Sequence, residues 1–298
     1  MKNLWSDQDA KAAINHHAGK GINEDLALRV YTTRLLGGEP KLVLHGGGNT
    51  SVKTRMADVT GQPLDVLCVK GSGWDMGTIE APGLPAVRLA PLRELEGLQA
   101  LSDEDMVNVQ RSNLLDAKSP NPSVETLLHA FLPHKFIDHT HSNAVLSLTD
   151  QPDGEALARD LYGKRAAMVP YVMPGFGLAK KCSEVGKANP DVEGLILLKH
   201  GIFSMGATAE EAYVRMIDLV TLAEKRLARG EQLVAQKMIG QSEFDDLRNA
   251  RDLAKVELDS SQEALRRADA ILGEAREQLV EGVHHGEAAS GFRSSRWR

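Results

Sequence analysis

Two regimes of hydrophobic patterning divide the chain. All 12 prolines lie between Pro40 and Pro190, where short Val, Leu and Ile runs alternate with glycine-rich turns. KLVLH (41–45), DVLCVKG (65–71), HKFIDHTH (134–141) and GLILLKHG (194–201) each read as strands bounded by turn formers. Apolar residues at threes and fours predict helices over 25–36 and 123–131. Thr208, followed by Glu210 and Glu211, predicts a capped helix running to about Leu227. Strands and helices interleaved in this way predict an α/β or α+β layered domain over residues 1–230.

After Gly230 the pattern changes. Neither Gly nor Pro occurs from Gln241 to Leu272, and Leu258, Leu265, Leu272 and Leu279 recur every seven residues. Ala254, Ser261, Ala268 and Ala275 keep the same step, so the spacings alternate between four and three, as in a coiled-coil seam or helical hairpin. Residues 231–283 are therefore expected to be helical, and the polar, Gly- and Ser-containing stretch 284–298 to be a disordered tail.

Composition narrows the functional classes. The 298 residues are 42% hydrophobic and 26% charged, enough apolar material for a full core. Lys and Arg total 35 against 41 Asp and Glu, a net charge of −6, and no dense basic block occurs. Nucleic acid is therefore not expected as a partner. The longest aliphatic run, Leu195 to Leu198, falls far short of the roughly 20 residues that cross a bilayer. The charged start, MKNLWSDQDAKAAINHH, has no apolar stretch of the secretory kind, and Cys68 and Cys182 are the two cysteines. A reducing, cytoplasmic setting is expected.

Four features carry candidate chemistry. His139 and His141 flank Thr140 at the end of an apolar strand pattern, where residues two apart share a face and their imidazoles can converge on one ion. Solvent-facing strand histidines are the bland alternative. His200, in LLKHG, supplies a third imidazole, a set that suits zinc and its neighbours. Glu125, in PSVETLLH, is expected in the first turn of a helix, with His129 one turn later; a carboxylate there either complements the helix dipole or serves as a general base. Finally, HGGGNTS (45–51) and KGSG (70–73) present glycine-freed amides and hydroxyls of the kind that hold phosphate, or else form tight surface turns. Neither matches a nucleotide-binding fingerprint. Residues His16, His17, His134, His284 and His285 have no constellation around them, and His45 and His129 are weaker candidates for loop or carboxylate support.

In this order, GNTS, KGSG, SxExxxH, HxH and KHG resemble the class II aldolase and adducin head-domain family over roughly residues 20–228. HGGGNTSVK, PSVETLLHAFLPHKFIDHTH and LILLKHGIFSMG look most like the aldolase half of bifunctional rhamnulose-phosphate aldolase/lactaldehyde dehydrogenase proteins. The resemblance implies an αβα domain with a mostly antiparallel central sheet. It implies that His139, His141 and His200 hold a divalent metal, zinc above all, and that Glu125 is the catalytic acid/base. Gly48, Asn49, Thr50, Ser51, Gly71, Ser72, Gly73 and Ser123 correspond to its phosphate and substrate site, and Tyr162 or Tyr171 to a tyrosine proton donor. The implied assembly is a homotetramer.

The implied reaction is cleavage of a ketose 1-phosphate. With L-rhamnulose 1-phosphate the products are dihydroxyacetone phosphate and L-lactaldehyde, the metal stabilising the enediolate and Glu125 handling its proton. A sugar-phosphate epimerase or dehydratase of the same family is the nearest alternative, and a non-catalytic adducin-like binding module is an alternative of another class. The dehydrogenase half has no counterpart in the chain, so lactaldehyde oxidation is not expected.

Overall fold

The computed structural model describes residues 1–235. The helical segment expected over 231–283 lies outside the described residues except for its first five, and the expected tail lies wholly outside them.

Helices α1 (Asp7–Ala18) and α2 (Glu24–Gly37) precede strands β1 (Asn49–Ala57), β2 (Pro63–Val69) and β3 (Ala86–Arg88). Then come α3 (Leu89–Glu94), α4 (Asp103–Ser112), α5 (Thr126–Phe131), β4 (Phe136–Thr140), α6 (Asn143–Thr149) and α7 (Gly154–Tyr162). Strand β5 (Ala166–Val169), α8 (Phe176–Ala188), β6 (Gly194–Leu197), β7 (Gly201–Gly206) and α9 (Ala209–Ala235) complete the set. The strands form one sheet in the order β3-β2-β1-β4-β7-β6-β5. Only β5 and β6 run parallel; the other five pairings are antiparallel.

Strand periodicity splits the core into two layers, because alternate side chains leave the sheet on opposite faces. Ile137, Phe203 and Met205 pack with Leu127, Leu128 and Leu178 from α5 and α8. On the other face, Ile196 and Ile202 meet Val145, Met216 and Val220 from α6 and α9, while Val52 and Phe136 meet Leu26 and Val30 from α2. The result is the expected α/β sandwich of helices around a mostly antiparallel sheet.

One ionic pair crosses this apolar layer. The fully buried guanidinium of Arg29 on α2 meets the carboxylate of Asp138 on β4 at 2.5 Å. It also donates to the Ser51 carbonyl at 3.3 Å, to Thr32 Oγ1 at 2.6 Å and to Thr33 Oγ1 at 3.2 Å. Buried charge is tolerated only when paired and hydrogen-bonded in this way.

Three local expectations are corrected. Residues 41–45 are turns rather than a strand: the amides of Leu42 and Val43 bond back to Glu39 O, and His45 and Gly48 take positive φ of 49° and 63°. Leu42 and Val43 are apolar because they are buried in the core, not because they alternate in a strand. The strand begins after the glycines, at Asn49. The run 194–201 is a strand followed by a hairpin turn, with Leu197 paired to Gly201 and Lys199 at φ 59°. The helix expected from Ser123 starts at Thr126, whose amide bonds to Ser123 O at 3.0 Å, so Glu125 is its N-cap rather than a first-turn residue.

Candidate metal centre and active site

Three imidazoles converge where β4 ends and the β6–β7 turn begins. The nearest ligand nitrogens of His139, His141 and His200 all lie within 4.8 Å of one another. His139 and His141, two apart on one strand line, bring their Nε2 atoms to 2.9 Å. His139 Nδ1 donates to Ile202 O at 3.1 Å, which leaves its Nε2 lone pair directed at the cluster, the orientation a metal ligand requires. Phe203 stacks on the His139 ring at 4.1 Å and fixes its plane. Burial holds His139 well below the ordinary imidazole value and His141 down to about 4. Neutral, convergent nitrogens fit a divalent ion.

Close backbone approach makes room for these rings. A Cβ on Gly201, at φ 156°, would lie 2.5 Å from Thr140 O and 3.1 Å from ring atoms of both His139 and His141. A Cβ on Gly48 would lie 2.7 Å from His139 O. Glycine at these two positions is thus a steric requirement of the cluster.

Beside the imidazoles sits the buried carboxylate of Glu125, with Oε2 3.4 Å from His139 Nε2 and Oε1 3.2 Å from His200 Nε2. Burial raises the pKa of this carboxylate, and hydrogen bonds from His200 and the Asn49 amide act in the opposite direction. Asn49 Nδ2 donates to Glu125 Oε2 at 2.6 Å and to Ser123 Oγ at 3.1 Å. Asn49 Oδ1 is 2.5 Å from His129 Nε2, and His129 Nδ1 is 2.7 Å from Ser51 Oγ. His129 therefore supports Glu125 through Asn49.

The remaining expected residues divide. Alternation along β1 turns Thr50 to the opposite face, where its hydroxyl meets Thr33 Oγ1 at 2.7 Å. The amides of Gly71 and Ser72 are committed to the carbonyls of Gly83 and Asn121, each at 2.8 Å, so the exposed Ser72 offers its side chain. Gly73, at φ 77°, is in open space. Neither tyrosine hydroxyl bonds to the imidazole cluster: Tyr162 is buried in the core shared by α7 and α9, and Tyr171 is 55% exposed with its hydroxyl 3.9 Å from Met173 Sδ.

Lys70, the first residue of the KGSG loop, joins the constellation through its ammonium. Its buried ammonium donates to Gly46 O at 3.0 Å, tying the two glycine loops together, and burial pushes its pKa down to about 8. The signal was a cation ending the apolar run VLCV.

Comparison with known proteins bears on the fold and the family. The Class II Aldolase and Adducin N-terminal domain matches residues 27–227. "Uncharacterized oxidoreductase YuxG" of Bacillus subtilis is 38% identical over 225 residues, which are 76% of this chain and 31% of the relative. Methylthioribulose-1-phosphate dehydratase of Sulfurihydrogenibium is 30% identical over 129 residues, 38% of this chain and 60% of that enzyme. The chain thus spans about a third and three fifths of these relatives. The N-terminal class II aldolase domain of a conserved Thermoplasma acidophilum protein superposes with a TM-score of 0.68 at 36% identity, covering 76% of this chain and 99% of the domain. A sugar-phosphate aldolase from Thermotoga maritima shares the fold at 17% identity, with a TM-score of 0.50 and coverage of 69% and 96%. On the matched domain and the closely superposing structure, the chain belongs to the class II aldolase and adducin N-terminal domain family.

Proposed function

We propose that the chain is a zinc-dependent carbon–carbon lyase that cleaves a ketose 1-phosphate, with L-rhamnulose 1-phosphate as substrate and dihydroxyacetone phosphate and L-lactaldehyde as products. The carrying observation is the Glu125 carboxylate, buried within 3.4 Å of two imidazoles of the cluster. A divalent ion held by His139, His141 and His200 would supply Lewis-acid stabilisation of charge on the substrate oxygens. Glu125 would move the proton at C3 as the C3–C4 bond breaks and re-forms. Lys70 and the hydroxyls of Ser72 and Ser123 would bind and orient the phosphate.

The choice of sugar rests on the resemblance of the motifs HGGGNTSVK, PSVETLLHAFLPHKFIDHTH and LILLKHGIFSMG to the aldolase half of rhamnulose-phosphate aldolase/lactaldehyde dehydrogenase proteins. Residues 1–230 form the catalytic unit in this reading, and a homotetramer is its assembly. Exposed apolar surface at Val124, Tyr171 and Met173 supports self-association. The name of the Bacillus subtilis relative describes a protein of which this chain spans 31%, so redox chemistry is not carried over.

A dehydratase is the second reading. It is favoured by the 30% identity to methylthioribulose-1-phosphate dehydratase over 129 residues. Metal content, followed by assays of dihydroxyacetone phosphate release from L-rhamnulose 1-phosphate and water loss from methylthioribulose 1-phosphate, separates the two. Triose release that drops about 100-fold or more in Glu125→Gln supports the lyase; water loss without triose release sinks it.

A further inference from the structure

The fully buried imidazole of His129 uses both its nitrogens. Nε2 lies 2.5 Å from Asn49 Oδ1 and Nδ1 lies 2.7 Å from Ser51 Oγ. An amide oxygen only accepts, so His129 must carry its proton on Nε2. Burial pushes this imidazole down to about 3, which leaves it neutral and its Nδ1 bare. Ser51 is then the donor to Nδ1. The same orientation turns the Asn49 NH2 towards Ser123 Oγ and Glu125 Oε2, both acceptors. Every donor along Ser51, His129, Asn49 and Glu125 thus meets an acceptor. A packing role beneath Phe203, whose ring lies 5.5 Å away, would need the volume of His129 but neither of its hydrogen bonds.

We propose that His129 is a positioning residue: as an Nε2–H donor oriented by Ser51, it fixes the Asn49 amide so that its NH2 holds the Glu125 carboxylate at the imidazole cluster. Both Asn49 donors are engaged within the protein. Asn49 therefore belongs to the carboxylate's support as much as to the phosphate site implied for it. The catalytic consequence rests on the reading of Glu125 as the acid/base; the hydrogen-bond order does not.

The test uses the full chain as purified with its metal, in wild type, His129→Gln, which retains a donor near the Nε2 position, and His129→Leu, which does not. Histidine-labelled ¹⁵N spectra, with the His129 signals identified by their loss in His129→Gln, report the tautomer. The expected result is Nε2–H with bare Nδ1; an Nδ1–H tautomer overturns the proposal. Solvent-deuterium incorporation into dihydroxyacetone phosphate reads the proton step alone. His129→Leu should lower its kcat about 10- to 100-fold with little change in KM or bound metal, and His129→Gln should restore most of that loss. Equal impairment of both variants, or of neither, overturns the proposal. A wild type that shows the Nε2–H tautomer yet exchanges no deuterium defeats the aldolase reading alone. In that case the Asn49 side-chain amide signals decide: displacement in His129→Leu but not in His129→Gln supports positioning, and displacement in neither refutes it.

Discussion

Asn49 and His139 face each other across the β1–β4 ladder as register partners. One pairing thus sets the amide that holds the carboxylate opposite an imidazole of the histidine cluster. A one-residue slip of either strand would turn its own side chain to the opposite face of the sheet, away from the other residue, so the register of this ladder is itself part of the site.

Gly201 and Gly73 make a matched pair for testing the close approach at the cluster. Gly201→Ala drives a methyl group against Thr140 O and two ligand rings, and is expected to destabilise by about 2 kcal/mol and weaken metal binding by about 10-fold or more. Gly73→Ala also sits at positive φ, but nothing lies within 4 Å of the added carbon. It should cost about 1 kcal/mol in urea unfolding and leave metal affinity unchanged. Equal metal affinity in the two variants would refute the steric argument.

The Arg29–Asp138 pair carries an asymmetric expectation. Arg29→Met or Asp138→Leu alone strands a buried charge and should destabilise by about 3–5 kcal/mol, whereas the double variant should recover most of that loss. A double-mutant cycle by chemical denaturation measures the coupling. Additive single effects would mean that the two groups do not support each other.

Acid sensitivity should carry the signature of His129. Its folded value is about 3, against an unfolded value of about 6.5. Below pH ~6.5 the unfolded chain takes up a proton that the folded chain does not, so this contribution is full above that pH and is lost as pH falls towards about 3. Between pH 7 and pH 5 the loss amounts to about 2 kcal/mol. The His129→Gln variant should lack that part of the pH dependence, and denaturation curves at the two pH values check it; parallel pH slopes for the two proteins would contradict it.

Lys70 ties Gly46 to the second glycine loop and brings a buried cation to the site. Replacing it with Met should weaken inorganic phosphate binding about 10-fold or more, with metal content preserved. Calorimetry with phosphate reads the effect directly, and unchanged affinity would remove Lys70 from the anion site.

Much of this site was legible because its chemistry needs unusual residues in short spacings. HxH on a strand pattern, a histidine before a turn glycine, and a carboxylate one helical turn from a histidine all declare themselves locally. Three things did not. The apolar run KLVLH reads as a strand by composition alone; the back-bonding to Glu39 and the positive φ at His45 are tertiary facts. Thr50 and Ser51 both belong to an anion-binding wording, and only strand alternation assigns one to Thr33 and the other to His129. Arg29 and Asp138 lie 109 positions apart in the sequence, and no local pattern announces that a helix cation and a strand carboxylate will meet inside the core.

The strand order has a kinetic consequence. Adjacent β4 and β7 are separated by some 60 residues of chain that build α6, α7, β5, α8 and β6. His139 and His141 arrive with one partner and His200 with the other, while Asn49 comes from still earlier in the chain. Pairings of such high sequence separation form slowly. A refolding chain can hold two imidazoles near each other early, but the third joins only when the β6–β7 hairpin docks. Tight capture of an ion by the three imidazoles would therefore be a late event, and its appearance in a refolding trace would mark the moment the central sheet closes.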